Sequence, residues 1–69
     1  MEIKEGQTFY KKRDNRKCHI VKIFKDKNEK IVVTKYFGIH KRWWHYEVEY
    51  FFSFEKNFNY GLYSKKRCV

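Results

Sequence analysis

The segment from residue 43 to residue 50 alternates between two kinds of side chain, and no other feature constrains the fold as much. The first set is aromatic or β-branched and consists of Trp44, Tyr46, Val48 and Tyr50. The second set consists of Trp43, His45, Glu47 and Glu49. A period of two residues sustained over eight positions is typical of a half-buried β-strand. We therefore predict a strand here, with the first set facing the core.

Three earlier stretches also have the composition of β-strands, at residues 7–12, 18–24 and 30–37. The turns predicted between them are centred on Asp14-Asn15 and on Asp26-Lys27-Asn28-Glu29. Asp and Asn favour turns because their side chains bond the nearby backbone and tolerate left-handed angles. In the third stretch Ile31, Val32 and Val33 follow one another, which indicates that both faces of that strand are covered.

The period changes after Tyr50. Phe51, Phe54 and Phe58 have the i, i+3, i+7 spacing that places three rings on one side of a helix. This spacing predicts a single helical turn that plugs the open end of a small barrel, and a fifth strand is the alternative.

These elements predict a mostly β fold: a small SH3-like, partly open barrel of four to five antiparallel strands with a short helical turn near residues 51–58. With 69 residues the chain has room for one domain, residues 1–69, of which we expect residues 64–69 to be frayed. The side chains predicted to form its core are Ile31, Val33, Trp44, Tyr46, Val48, Phe54 and Phe58.

The chain is strongly basic, with 17 Lys and Arg against 8 Asp and Glu, a formal net charge of +9. Such a field attracts polyanions. We expect nucleic acid, DNA or RNA, to be the partner, with an acidic face of a host protein as the rival. A further alternative is that the excess lysine only keeps an aromatic-rich domain in solution.

The start of the chain has no apolar run of the kind found in a secretory signal, and no segment has the length of a membrane span. We therefore expect a cytoplasmic protein without membrane insertion. In that compartment Cys18 and Cys68 would be free thiols.

Two groups of residues are predicted to form the binding surface. The first is the basic turn, with Lys11, Lys12, Arg13, Arg16 and Lys17. The second is the start of the alternating strand, with Lys41, Arg42, Trp43 and His45. Lys and Arg neutralise phosphates, and an exposed ring can stack on an unpaired base. The same mixture of residues is common at protein interfaces.

No metal site, cofactor or catalytic centre is predicted. Cys18 and His19 are adjacent, so their side chains would point to opposite faces of a strand, and no second pair of ligands accompanies them. Glu47 and Glu49 share a strand face with His45, so a small ribonuclease remains a remote alternative.

The order of these elements resembles short phage- and prophage-encoded accessory proteins. In them a glycine and a tyrosine mark the first strand and two phenylalanines close the domain, positions that Gly6, Tyr10, Phe54 and Phe58 would occupy here. The crowded Trp43-Trp44 region and the basic residues Lys65-Lys66-Arg67 near the end of the sequence depart from that pattern. The resemblance implies a phage-type accessory protein in a bacterial host, acting by binding to nucleic acid or as an inhibitor or adaptor of a host protein.

Overall fold

A computed structural model describes residues 3–38, 40 and 42–66 of the chain. It contains the strands β1 (Thr8–Lys11), β2 (Arg16–Asp26), β3 (Glu29–Phe37), β4 (Trp44–Tyr50) and β5 (Tyr63–Ser64), with helix α1 (Phe51–Asn59) between β4 and β5. The predicted mostly β class, with antiparallel strands and a helical segment after residue 50, is confirmed.

The strands form one open antiparallel sheet in the order β4-β3-β2-β1-β5. Charged turns connect the first three strands, as predicted. Asn15 and Lys27 lie in these turns with φ angles of 54° and 58°, the left-handed conformation that tight turns require.

One face of the sheet, here called the inner face, carries the hydrophobic core. Its buried apolar residues are Phe9, Cys18, Ile20, Val32 and Phe54. Phe54 comes from α1, and its ring lies 5.1 Å from the Phe9 ring and 5.2 Å from the Phe58 ring, measured between centroids. The predicted inward orientation of Phe54 is confirmed, and Phe58 packs against the same core while remaining partly exposed.

Side chains from opposite ends of the sheet meet across the inner face. The Tyr63 hydroxyl on β5 donates a hydrogen bond of 3.2 Å to Glu49 Oε1 on β4. The Lys11 ammonium on β1 forms an ion pair with Glu47 on β4. Because β4 is not a neighbour of β1 or β5 in the sheet, these contacts show that the sheet curls around α1.

The predicted orientation of β4 is wrong, although its alternation is correct. Trp44, Tyr46 and Val48 are exposed, at 38%, 61% and 66% of their surface, whereas Glu47 and Glu49 share the inner face. The register with β3 pairs Val32 with Glu49 and Thr34 with Glu47. The acids are accommodated there because β4 is an edge strand, and Lys11 and Tyr63 reach their carboxylates.

The same reversal affects β3. Ile31 and Val33, also predicted in the core, are half-buried on the opposite face of the sheet, because Val32 and Thr34 point inward instead.

At the end of the chain, Ser64 pairs with Tyr10, while residues 67–69, which include Cys68, lie outside the described residues. Within the described part of the chain, no helix has the length and apolar character needed to cross a membrane.

Candidate binding surface on the outer face of the sheet

The face of the sheet opposite α1, here called the outer face, is covered by no other element among the described residues. Strand register and alternation place on it Thr8, Tyr10, Lys17, His19, Lys22, Phe24, Asp26, Glu29, Ile31, Val33, Lys35, Phe37, Trp44, Tyr46, Val48 and Tyr50. Most of these side chains are aromatic, β-branched or cationic, which makes the outer face the largest candidate surface for a partner.

The aromatic and apolar residues of the outer face are concentrated along β4. Tyr46 and Tyr50 are exposed to 61% and 49%, and Trp44 lies beside them at 38%. The Trp44 ring makes edge contacts with Phe37 and His19, whose centroids lie 5.4 and 5.8 Å away. These contacts hold the indole in place and leave part of it open to solvent.

Lysines accompany the rings. Lys35 Nζ lies 4.6 Å from the centroid of the Trp44 ring, and Lys22 Nζ lies 5.7 Å from that of Phe24. Both carboxylates of β4 are on the inner face, so they do not offset these charges. Two acids of the outer face, Asp26 and Glu29, lie at the β2–β3 turn beside Ile31 and Tyr50, at the end of the sheet away from Trp44. The outer face therefore combines exposed rings with an excess of lysines, which is concentrated towards Trp44.

At one end of the outer face a cleft of about 590 Å³ separates the β1–β2 turn from β4. It is lined by Asp14, Asn15, Arg16, Lys17, His19, Phe37 and Trp44. Its volume falls within the range of ligand-binding clefts, roughly 300–1,000 Å³.

Some of the polar groups around this cleft already bond to each other. The Arg16 backbone N–H donates to Asp14 Oδ1 at 3.3 Å, and the Arg16 guanidinium approaches the same carboxylate at 3.6 Å. That guanidinium also lies 4.5 Å from the Tyr36 ring on the inner face. Lys17, which is exposed, is therefore the cation that this turn offers to a ligand on the outer face.

His19 forms part of the wall of the cleft. Burial lowers the pKa of its imidazole, and the nearby ammonium groups of Lys17 and Lys35 lower it further. A neutral imidazole offers one donor and one acceptor, so His19 can hydrogen-bond to a polar ligand without adding charge.

The structure separates the residues of the predicted basic turn. Lys12 and Arg13 are exposed in the turn, and Lys17 faces the cleft. Lys11 instead points inward, where its ammonium pairs with Glu47 and lies 5.3 Å from the Tyr36 ring.

The second predicted group is also divided. Arg42 and Trp43 are exposed just before β4, with Trp43 at 72% and Arg42 in a left-handed conformation at φ 47°. His45 is half-buried on the inner face, where its ring stacks on Tyr36 at 5.3 Å. Lys41 lies outside the described residues.

Sequence reasoning did not identify the residues at the centre of the outer face, namely Trp44, Tyr46, Tyr50, Phe37, Lys22 and Lys35. The alternation on β4 contained the necessary signal, because it separates the rings from Glu47 and Glu49. The rings were assigned to the core since nothing in the alternation shows which side α1 covers.

The inner face contains the acidic residues of the predicted ribonuclease alternative. Glu47 is paired with Lys11, and Glu49 accepts the hydrogen bond from Tyr63. Burial raises the pKa of Glu49, an effect that the Tyr63 hydrogen bond partly offsets. Among residues 3–38, 40 and 42–66, no group of three or more His, Cys, Asp and Glu side chains is arranged to hold a metal ion.

Comparisons with protein-family models, with curated proteins and with solved structures find no match to the chain.

Proposed function

We propose that this protein binds nucleic acid through the outer face of its sheet. The observation that carries the proposal is that the outer face presents exposed aromatic rings together with lysines, while both acids of β4 face inward. The net charge of +9 supports the same class of partner.

Each feature has a direct role in such binding. Lysine ammonium groups neutralise phosphates and release condensed counterions, which provides affinity without regard to sequence. Exposed rings contact bases, and a neutral His19 can hydrogen-bond to a base edge or a sugar. Of the predicted residues, Lys17 lines the outer-face cleft, and Arg42 and Trp43 come just before β4, so these three would extend the contact. Arg13 lines a separate cleft with Lys11 and Glu47.

The test is the salt dependence of oligonucleotide binding. Affinity should fall linearly with salt on a log–log plot, with a slope of about −0.9 per duplex phosphate neutralised or about −0.7 per single-strand phosphate. Replacing Lys22 and Lys35 by alanine should make the single-strand slope shallower by up to about 1.4 and weaken binding to all sequences alike.

The matched control is the Lys25→Ala, Lys56→Ala double variant, which removes the same number of charges from the inward-facing side of β2 and from α1. Its slope should stay close to that of the unmodified protein. Affinities no tighter than about 10⁻⁴ M at physiological salt for every oligonucleotide would lie at the non-specific limit and would contradict the proposal.

The second candidate is a protein-targeting role, as an inhibitor or adaptor that docks on an acidic surface of a host protein. It is favoured by the contiguous exposed apolar residues on β4, because such patches also mark protein interfaces. The phage-type role in a bacterial cytoplasm, implied by the resemblance described above, belongs to this candidate as much as to the first. A pull-down from the host that retains one acidic protein after nuclease treatment would support it.

A further inference from the structure

We infer that the occupant of the outer face is a single strand of nucleic acid, stacked along β4, with one unpaired base in the cleft beside Trp44. This inference rests on the proposed function and specifies its substrate class and site.

The shape of the outer face favours a single strand over a duplex. The molecule measures 36 × 25 × 17 Å along its principal axes, and the rings are spread over a broad sheet. The major groove of B-DNA, about 12 Å wide, admits a helix or a two-stranded ribbon but not such a face. Rings on an open sheet face are instead suited to unpaired bases, which can stack on them one after another.

The spacing of the rings supports the same occupant. Trp44, Tyr46 and Tyr50 project from one side of one strand, which at roughly 3.3 Å per residue extends about 20 Å from Trp44 to Tyr50. Bases in a duplex are already stacked on each other and cannot reach these rings without unpairing. A single strand can place successive bases on them.

The cleft beside Trp44 can hold the base at one end of a strand that runs along β4. Phe37 and His19 contact the Trp44 indole edge-on, so a planar ligand can approach the exposed part of the ring. Lys35 lies over that ring in the free protein, and its long side chain can move to a phosphate when a base takes its place. Lys17 lies on the other side of the cleft, within the same surface.

Charge argues against a second copy of the chain as the occupant. Two outer faces packed together would bring three lysines of each copy, Lys17, Lys22 and Lys35, into one interface with two strand carboxylates of each copy, Asp26 and Glu29. Each copy also has a net charge of +9, so association would be opposed by repulsion. A phosphate backbone compensates the same charges.

The experiment uses the two tryptophans of the chain as separate reporters. In the Trp43→Phe variant, Trp44 is the remaining tryptophan, and its fluorescence should be strongly quenched by a 12-nucleotide single strand. In the reciprocal Trp44→Phe variant the signal comes from Trp43, before β4, and should be quenched much less.

Affinity measurements on alanine variants complete the test. Trp44→Ala and Tyr46→Ala should each weaken single-strand binding by about 5- to 150-fold, the range expected for loss of one stacked base. Tyr60→Ala removes a ring that follows α1 and is more exposed than either of these, and it should leave the affinity unchanged. Tyr46 is more exposed than Trp44, so its variant keeps the test valid if Trp44→Ala does not fold.

The outcomes separate this inference from the proposed function. Equal or tighter binding to the matching duplex, with no effect of the ring variants, would overturn the single-strand inference and leave nucleic-acid binding intact. No oligonucleotide binding above the non-specific limit would overturn both. A concentration-dependent dimer that Tyr46→Ala dissociates would identify a second copy as the occupant and would also overturn the inference.

Discussion

At the scale of single residues, stability depends on a few rings held between α1 and the sheet. Phe54 is the fully buried side chain of α1, and its ring centroid lies 5.1–5.4 Å from those of Phe9, Phe58 and Tyr63. Because a small domain has little stability to lose, removing this ring should have a large effect.

We expect Phe54→Ala to lower the free energy of unfolding by about 3–5 kcal/mol, the usual range for a buried phenylalanine. Phe52→Ala is the matched control, since it removes the same group from the same helix at a position that is 61% exposed. Urea denaturation followed by far-UV circular dichroism measures both. Equal losses in the two variants would mean that α1 does not pack as described.

Cys18 should make the stability of the fold decrease at alkaline pH. Burial raises the pKa of its thiol from 9.0 to about 11, even though the nearby Lys11 ammonium favours the thiolate. The thiol of the unfolded chain therefore ionises at lower pH than that of the folded chain. The resulting contribution to stability is complete below about pH 9 and is lost as pH rises towards 11.

The Cys18→Ala variant should lack this pH dependence. Between pH 9 and 11 the free energy of unfolding of the unmodified protein should fall more steeply than that of the variant. Denaturation midpoints measured at several pH values give the difference, in which the contributions of other titrating groups cancel. Parallel curves would show that Cys18 is accessible to solvent.

At the scale of secondary-structure elements, β2 contains an irregularity that the sequence pattern did not reveal. The pairing of β2 with β3 shifts between Ile20 and Lys22, so Val21 is an extra residue in the strand. Bulges of this kind bend a strand and increase its twist. Beyond this point the Ile23 backbone N–H donates to Glu5 Oε2 at 2.8 Å, so a side chain supplies its partner.

We expect Glu5→Ala to destabilise the fold by about 0.5–1.5 kcal/mol, the net contribution of an ordinary hydrogen bond. The specific readout is amide hydrogen exchange at Ile23, which should accelerate more than exchange at neighbouring amides of β2. Glu55→Ala, on the exposed side of α1, should leave the exchange at Ile23 unchanged. An unchanged rate in Glu5→Ala would show that another group satisfies this N–H.

Local patterns predicted most of the elements because period, turn chemistry and helical spacing depend on nearby residues. The strand predicted at residues 30–37 differs from β3 by one residue, and Phe54 of the helical segment is buried as expected. The direction in which β4 faces depends on long-range packing instead. An alternating strand can pack with either of its two faces towards the core. In β4 the orientation with the acids inward is stabilised by Lys11 and Tyr63, which are distant in sequence.

The binding site was only partly predictable for the same reason. The cations of the turn and the exposed Trp43 could be found from composition and alternation. The Trp44 cleft requires the β1–β2 turn and β4 to lie at the same end of the sheet, which only the tertiary fold shows.

At the scale of the whole molecule, the sheet ends in two edges of different length. One edge is β5, which has two residues. The other is β4, which has seven residues and is rich in strand-forming side chains. A long edge strand presents unpaired backbone groups to other chains, and charged residues that point inward are one way in which proteins prevent such pairing.

Glu47 and Glu49 therefore have a consequence beyond the contacts they make within one molecule. A strand from another chain added to β4 would cover the exposed part of these carboxylates and withdraw their charges from water, so they should act against fibril formation. We expect Glu47→Gln combined with Glu49→Gln to shorten the lag time of thioflavin-positive aggregation under agitation. The Glu29→Gln, Glu55→Gln variant, with the same net charge, should aggregate no faster than the unmodified protein, and equal lag times in both variants would contradict this role. The same two carboxylates that turn the rings outward for a ligand would then also determine how concentrated the protein can become before it polymerises.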